Sequence, residues 1–88
     1  MANPVSESQN YTNLTATTTV YTGPGALLGI FVASASSTPT IAVSDGSATL
    51  VNTFTPTAAT FYRIPARFGT SLVVTISGTV DCTVLWGN

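Results

Sequence analysis

The sequence has few charged side chains, and that shortage excludes most kinds of enzyme active site. Its 88 residues are only 6% charged, against about 25% in an average soluble domain. The charged residues are Glu7, Asp45, Arg63, Arg67 and Asp81, and the chain has no histidine and no lysine. Histidine-based triads, Schiff-base lysines and the lysine of a phosphate-binding loop all need one of these missing residue types. We therefore expect a protein that is not an enzyme.

Cysteine and basic residues are also scarce. Because Cys82 is the single cysteine, the chain cannot form an internal disulfide or a metal site of the cysteine and histidine type. Two arginines cannot supply the basic surface that nucleic acids require. The longest stretch without a polar side chain, residues 25–33, is shorter than the about 20 residues of a membrane-spanning helix. We expect no cofactor, no nucleic acid and no membrane as partners.

Hydroxyl side chains take the place of charge in this sequence. It contains 17 threonines and 9 serines, with a net charge of −1. A nearly neutral hydroxyl surface promotes association, and a chain of this size without a disulfide or metal is close to the limit for a stable monomer. These features predict a homo-oligomer.

Two regions differ in pattern. Residues 1–10 are polar, contain Pro4 and show no periodicity, which predicts an extended or flexible arm and no signal peptide. Residues 11–88 are expected to form a single domain of short β-type segments separated by Gly, Pro, Asp and Ser, with no helical spacing of apolar residues. About seven short strands are predicted, over residues 14–22, 26–34, 40–44, 49–55, 61–64, 71–77 and 80–86.

Local patterns predict how some of these strands connect. Residues 26–34 are apolar in both alternating sets, which is typical of a central strand covered on both sides. Asp45-Gly46 is a strong signal for a hairpin turn. Residues 71–77 and 80–86 alternate regularly and predict a C-terminal hairpin across a short glycine-containing loop. Together these signals favour a small antiparallel β-sandwich or barrel of jelly-roll or Greek-key type.

Three side chains that could carry chemistry have simpler explanations. Asp45 and Asp81 could form the carboxylate pair of a glycosidase, but Asp45 precedes a turn glycine, where aspartate forms local hydrogen bonds. Asp81 begins a strand on its polar face. Cys82 lies on the apolar face of the same strand, which predicts a buried, unreactive thiol. We assign no catalytic residue.

The remaining candidates point to contacts between proteins. Arg63 and Arg67 lie four residues apart, and arginine is enriched at interfaces and forms bidentate pairs with carboxylates. They could pair with Asp81 or with a neighbouring subunit, or remain solvated. Trp86 could pack in the core or anchor a partner. The predicted interface residues are Arg63, Arg67, Tyr11, Tyr62 and Trp86.

A sugar-binding platform is a further possibility for the aromatic residues. Tyr11, Tyr21, Phe61 and Tyr62 could contribute to it, but they are scattered over several segments. Packing in the core or between subunits is the simpler expectation for them.

Three segments carry a resemblance to a known group of proteins. They are YTGPGALLGIFV at residues 21–32, ASSTPTI at residues 35–41 and IPARFGTSLVVTISGTVDCTV at residues 64–84. This pattern resembles small β-rich virion-associated proteins of tailed bacteriophages and covers residues 20–86. The resemblance implies a virion context, and small capsid decoration (cement) proteins among such proteins commonly form trimers on the head.

The expected function is therefore structural. The chain is predicted to be a decoration protein on the capsid surface, made in the host cytoplasm, whose partners are copies of itself, most simply as a trimer, and the major capsid protein. The alternative is a tail-tip or fibre module that recognises a host surface. That alternative predicts a cluster of exposed aromatic side chains with polar neighbours, of which the sequence shows no clear sign. A small hydrolase is disfavoured by the scarcity of charged residues.

Overall fold

Antiparallel strands make up most of residues 10–88, which are the part of the chain that the computed structural model describes. No helix occurs in this range, and so none there is long and apolar enough to cross a membrane. The predicted all-β, antiparallel fold class is confirmed. The predicted arm lies outside the described residues except for Asn10, which begins the first strand. The six strands are β1 (Asn10–Leu14), β2 (Thr18–Thr22), β3 (Gly25–Asp45), β4 (Ala48–Phe54), β5 (Thr60–Phe68) and β6 (Ser71–Gly87).

The two long strands, β3 and β6, form an antiparallel ribbon along their whole lengths. Ala26 pairs with Gly87 at one end of the ribbon, and Asp45 pairs with Leu72 at the other. Along one half of the ribbon β1 flanks β6 and β5 flanks β3, whereas along the other half β2 flanks β6 and β4 flanks β3. The sheet therefore consists of a first half-sheet, in the order β1-β6-β3-β5, and a second half-sheet, in the order β2-β6-β3-β4.

The ribbon bends where the two half-sheets meet. Between Ser36 and Thr40 strand β3 contains two more residues than the matching part of β6, so the register shifts. Gly78 lies opposite this point with φ of 86°, and a Cβ added to it would be 2.8 Å from Cα of Pro39. Only glycine fits a backbone contact this close at that φ. The bend thus depends on Gly78.

Two predictions about the strands that form the ribbon are wrong. Residues 71–77 and 80–86 do not form a hairpin but belong to the single strand β6, because both of them find a partner in β3. Gly78 changes the direction of the strand without reversing it. Residues 26–34 and 40–44 are likewise parts of the single strand β3. The hairpin at Asp45-Gly46 is confirmed, since Asp45 pairs with Ala48.

The half-sheets fold toward each other, as the contacts of Tyr21 demonstrate. Tyr21 pairs with Leu72 near the start of β6, yet its ring centroid lies 4.8 Å from that of Trp86 near the end of β6. In a straight strand, Leu72 and Trp86 would be about 46 Å apart. A bulge at Val20 re-aims the next side chain, and Tyr21 also contacts Phe68 at 6.4 Å. These rings close the end of the domain opposite the bend.

The core lies between the folded half-sheets. Alternate side chains of β6 are buried there on both sides of the bend, as the alternating sequence predicts: Leu72 and Val74 before it, and Val80, Cys82, Val84 and Trp86 after it. Only the inner faces are covered, so the prediction that residues 26–34 are covered on both sides is wrong: Phe31 is 40% exposed. The buried core residues are Leu14, Leu27, Ile30, Val32, Ile41, Val43, Phe68, Leu72, Val74, Val80, Cys82, Val84 and Trp86.

Asp45 connects the β3–β4 hairpin to the turn between β5 and β6. Its carboxylate accepts hydrogen bonds from the backbone N–H groups of Gly69 at 2.8 Å, Thr70 at 2.7 Å and Ser71 at 3.2 Å. The sequence predicts local hydrogen bonding by this residue, whereas these partners are 24 to 26 residues away along the chain. The bonds from Gly69 and Thr70 favour the ionised form and lower the pKa of Asp45 below 3.8.

Asp45→Asn is expected to destabilise the fold in a pH-dependent way. Because the pKa of Asp45 is lower in the folded state, its ionisation contributes stability that is complete above about pH 4 and is lost as the pH falls through the folded pKa. The variant should have a lower thermal midpoint than the wild type at pH 7, and this difference should shrink between pH 4 and pH 2. Thermal unfolding followed by circular dichroism at each pH measures it.

Asp81→Asn is the matched control for this experiment, because the Asp81 carboxylate accepts its hydrogen bond from the Asn13 side chain. It should change the midpoint less than Asp45→Asn at pH 7. An Asp45→Asn effect of equal size at pH 7 and pH 2 would contradict the role of the carboxylate charge.

Candidate functional site

Three large apolar side chains are exposed on one side of the first half-sheet. Tyr11 is 77%, Phe31 40% and Phe61 43% exposed. Phe31 pairs with Phe61 on β5, and Tyr11 pairs with Leu85 on β6. Directly paired residues share a side of the sheet, and Leu85 pairs with Gly29, two residues before Phe31. All three side chains therefore lie on the outer side of the first half-sheet.

A polar group adjoins these rings on β1 and β6. Asn13 Nδ2 donates hydrogen bonds to Asp81 Oδ1 at 2.9 Å, to the carbonyl oxygen of Cys82 at 3.0 Å and to Thr83 Oγ1 at 3.4 Å. Thr83 pairs with Phe31 on the neighbouring strand. Asn13 thus holds the Asp81 carboxylate at the edge of the exposed rings.

Both arginines lie on the opposite edge, on β5. Arg63 pairs with Gly29 and Arg67 with Ala26, and both side chains are exposed. Within residues 10–88 neither forms an ion pair. Arg63 and Asp81 are two strands and four residues apart, about 16 Å in a regular sheet, so the predicted salt bridge to Asp81 within the chain is wrong. A salt bridge to a neighbouring subunit stays a prediction.

We call this surface the aromatic face. It combines apolar rings and guanidinium groups, which are enriched in protein interfaces, with one carboxylate that can pair with a guanidinium group. Its defining residues are Tyr11, Phe31, Phe61, Arg63, Arg67 and Asp81.

The outer side of the second half-sheet has different chemistry. Thr19 pairs with Val73, Val73 with Ser44, and Ser44 with Thr49, while Thr75 pairs with Ala42 beside this row. The threonines of this set are exposed, and Ser44 and Val73 are half-buried. We call this surface the threonine face; its residues are Thr19, Ser44, Thr49, Val73 and Thr75.

The other predicted site residues pack within the domain. Tyr62 is half-buried; its hydroxyl accepts a hydrogen bond from the Thr57 N–H at 2.8 Å, and its ring lies 5.1 Å from that of Phe54. Trp86 is buried and donates from Nε1 to Thr12 Oγ1 at 3.2 Å. The structure therefore brings Tyr11, Arg63 and Arg67 together on the aromatic face but places Tyr62 and Trp86 elsewhere.

The aromatic face also includes residues that the interface prediction omits. Phe61 is one of the scattered aromatic residues for which packing in the core or between subunits is the simpler expectation, and two others of that set, Tyr21 and Tyr62, lie on the inner side of the sheet. Phe31 was not selected, because residues 26–34 were expected to be covered on both sides.

Gly29 allows the Phe61 ring to lie against the sheet. A Cβ at residue 29 would be 2.6 Å from the Tyr62 carbonyl oxygen and 2.7 Å from Cζ of Phe61. The glycine is buried although its neighbour Phe31 is exposed, and aromatic coverage of a strand glycine in this way is a known device for sheets. The position of Phe61 on the aromatic face thus depends on Gly29.

Gly29→Ala is expected to lower the free energy of unfolding by about 1–3 kcal/mol, because the added methyl group meets a backbone atom that cannot move away. Gly69→Ala is the matched control, since its nearest atom would be Asp45 Oδ2 at 3.9 Å, and its effect should stay within about 0.5 kcal/mol. Urea unfolding of both variants measures the difference. Equal losses in the two variants would contradict the close packing of Phe61.

Cys82 lies on the inner side of β6 and is fully buried, as the sequence predicts. Burial, and to a smaller extent the negative charge of Asp81, raise the pKa of its thiol to about 11. The reactive thiolate is therefore scarce at neutral pH.

We expect Cys82 to resist alkylation in the folded protein at pH 7.5 and to react fully in denaturant. Mass spectrometry after treatment with iodoacetamide, with and without guanidinium chloride, measures this difference. Rapid labelling of the folded protein would show that β6 opens readily and that the thiol is not shielded.

No three His, Cys, Asp or Glu side chains among residues 10–88 are grouped so that they could hold a metal ion. Asp45 and Asp81 are nine residues apart on the ribbon, since Asp45 pairs with Leu72 of β6.

Comparison with known proteins adds no name to this surface. No protein-family model, no curated protein and no solved structure matches the chain. The resemblance to phage virion proteins stays a prediction, and function has to be argued from the residues and their arrangement.

Proposed function

We propose that this chain is a non-enzymatic structural protein of a bacteriophage particle, a capsid decoration protein that bridges and stabilises coat subunits. The observation that carries the proposal is the presence of two chemically different outer surfaces on one body. A bridging protein needs at least two contact surfaces. The aromatic face and the threonine face supply them, and they point away from each other because the half-sheets fold inward.

The domain connects these two surfaces through one continuous hydrogen-bonded ribbon. Strands β3 and β6 are hydrogen-bonded partners over their whole lengths, so both half-sheets share the same ribbon. Tyr21 and Trp86 hold the open end together, and Asp45 fastens the two turns beside it. A subunit held on one face is thereby coupled to one held on the other.

The low charge of the chain supports the same proposal. Both arginines are on the aromatic face, and the exposed side chains of the threonine face are hydroxyls. The threonine face can therefore lose its bound water without the cost of burying a charge, and nearly neutral surfaces tend to associate. A protein that binds only the assembled shell stabilises that shell by mass action.

A tail-tip or fibre module is the second candidate, and a specific observation favours it. The aromatic face is a cluster of exposed rings with polar neighbours, namely Asn13, Asp81 and Arg63. That cluster is the feature expected of a module that recognises a host surface.

The location and copy number in purified particles test the proposal. We expect hundreds of copies on heads. Phage particles whose heads lack the protein should lose infectivity at a lower temperature than particles that carry it. Quantitative mass spectrometry of separated heads and tails, with heat-survival curves, measures both. A few dozen copies confined to tails would overturn the decoration proposal in favour of the second candidate.

A further variant tests the need for two surfaces. Thr75→Arg places a charge on the threonine face and should reduce occupancy on heads, whereas Thr57→Arg, at an exposed position in the loop between β4 and β5, is the matched control. Circular dichroism confirms that both variants fold. Full occupancy by Thr75→Arg would remove the threonine face from the mechanism.

A further inference from the structure

The aromatic face is complementary in charge to itself. Arg63 and Arg67, the only cations of the sequence, lie along β5 at one edge, and Asp81 lies on β6 toward the other side. Phe31 lies between Arg63 and Asp81. Neither arginine has an ion-pair partner within residues 10–88. Within this part of the chain, the two guanidinium groups are therefore not neutralised by a carboxylate.

Each of the two rings, Phe31 and Tyr11, lies at the same distance from Arg63 as from Asp81. Phe31 is one strand and two residues from both Arg63 and Asp81, which is about 8 Å in each case in a regular sheet. Tyr11 is three strands from Arg63, and one strand and four residues from Asp81, which is about 14 Å in each case. A line through Tyr11 and Phe31 is therefore equidistant from the two charges.

We propose that the aromatic face binds the same face of a second copy of the chain, with a two-fold axis along the line through Tyr11 and Phe31. Rotation about this axis places Arg63 of each copy over Asp81 of the other. The rings then meet at the centre and the ion pairs form at the periphery, as in known interfaces. The strands of the two copies then cross at about 70°, closer to the orthogonal than to the aligned way of packing sheets.

The size of the face determines the strength of this contact. Four strands and about six residues of strand length give a surface of about 20 × 20 Å, or about 400 Å² per copy. The total of about 800 Å² is below the 1,200–2,000 Å² of a standard stable interface. The dimer is therefore weak, with a dissociation constant in the micromolar to millimolar range, and forms when copies are concentrated.

This inference concerns the isolated chain and does not rest on the proposed function. A three-fold assembly needs two different contact surfaces on each copy, whereas the mirrored charges favour a two-fold contact of one surface with itself. The experiment below therefore also distinguishes a dimer from the trimer expected from the sequence.

Charge reversal gives a sharp test. Sedimentation equilibrium of the wild type from about 10 μM to 2 mM should show a mass rising from 9.0 kDa toward twice that value. Arg63→Asp and Asp81→Arg should each weaken association at least tenfold, because each variant places like charges opposite each other. An equimolar mixture of the two variants should associate about as well as the wild type, since both ion pairs then join opposite charges, and the double variant should recover likewise.

Control variants keep the test independent of folding. Tyr11→Ala should also weaken association about tenfold, and its side chain is exposed enough for removal without loss of the fold. Thr75→Asp, on the threonine face, should leave association unchanged. Circular dichroism checks that each variant folds. If Asp81→Arg fails to fold, comparing the self-association of Arg63→Asp and Tyr11→Ala with that of Thr75→Asp still tests the proposal.

Several results would overturn the proposal. These are a wild-type mass of 9.0 kDa throughout the concentration range, a trimer, or association that Arg63→Asp and Tyr11→Ala leave unchanged. Failure of two folded single variants to associate when mixed would likewise exclude the two-fold pairing. None of these results changes the expected copy number on heads, so the decoration proposal would be judged separately.

Discussion

The antiparallel pairing of β3 with β6 is the constraint on which the rest of the structure depends. Each of the other four strands pairs with one of these two, so none has a place in the sheet without the ribbon. Because the pairs join residues far apart in sequence, such as Ala26 with Gly87, the ribbon requires the closure of long loops. The fold as a whole is stabilised by contacts that no short segment could form alone.

The bend in that ribbon separates the inside of the protein from its two outer faces. Gly78 and the extra residues of β3 let the ribbon turn, and Tyr21 and Trp86 join the ends that the turn brings together. The apolar sides of both half-sheets then cover each other. What remains outside is one surface of rings and arginines and one surface of threonines, and this division underlies both the bridging function and the two-fold contact that we propose.

The candidate site could be predicted only in part, and the reason is physical. Tyr11, Arg63 and Arg67 were recognisable from residue type, because exposed tyrosine and arginine are typical of contact surfaces. Phe31 was missed because a continuous apolar segment does not reveal how many layers cover it. For Tyr62 and Trp86 the sequence leaves both core packing and contact with a partner open, and they lie where β5 and β6 face the interior. Which side of a strand is covered depends on the partner strands and not on the strand itself.

The sequence alone determined the all-β class, the turn at Asp45-Gly46 and the alternation that buries Val74, Cys82 and Val84, because backbone preferences and side-chain periodicity act over a few residues. The tertiary structure decided what Gly78 does, since the same glycine can end a hairpin or bend a strand according to whether the chain on each side finds a long partner. It also decided that Asp45 binds the amides of a distant turn. These outcomes depend on pairings between remote segments, and a local pattern holds no information about which remote segment will pair with it.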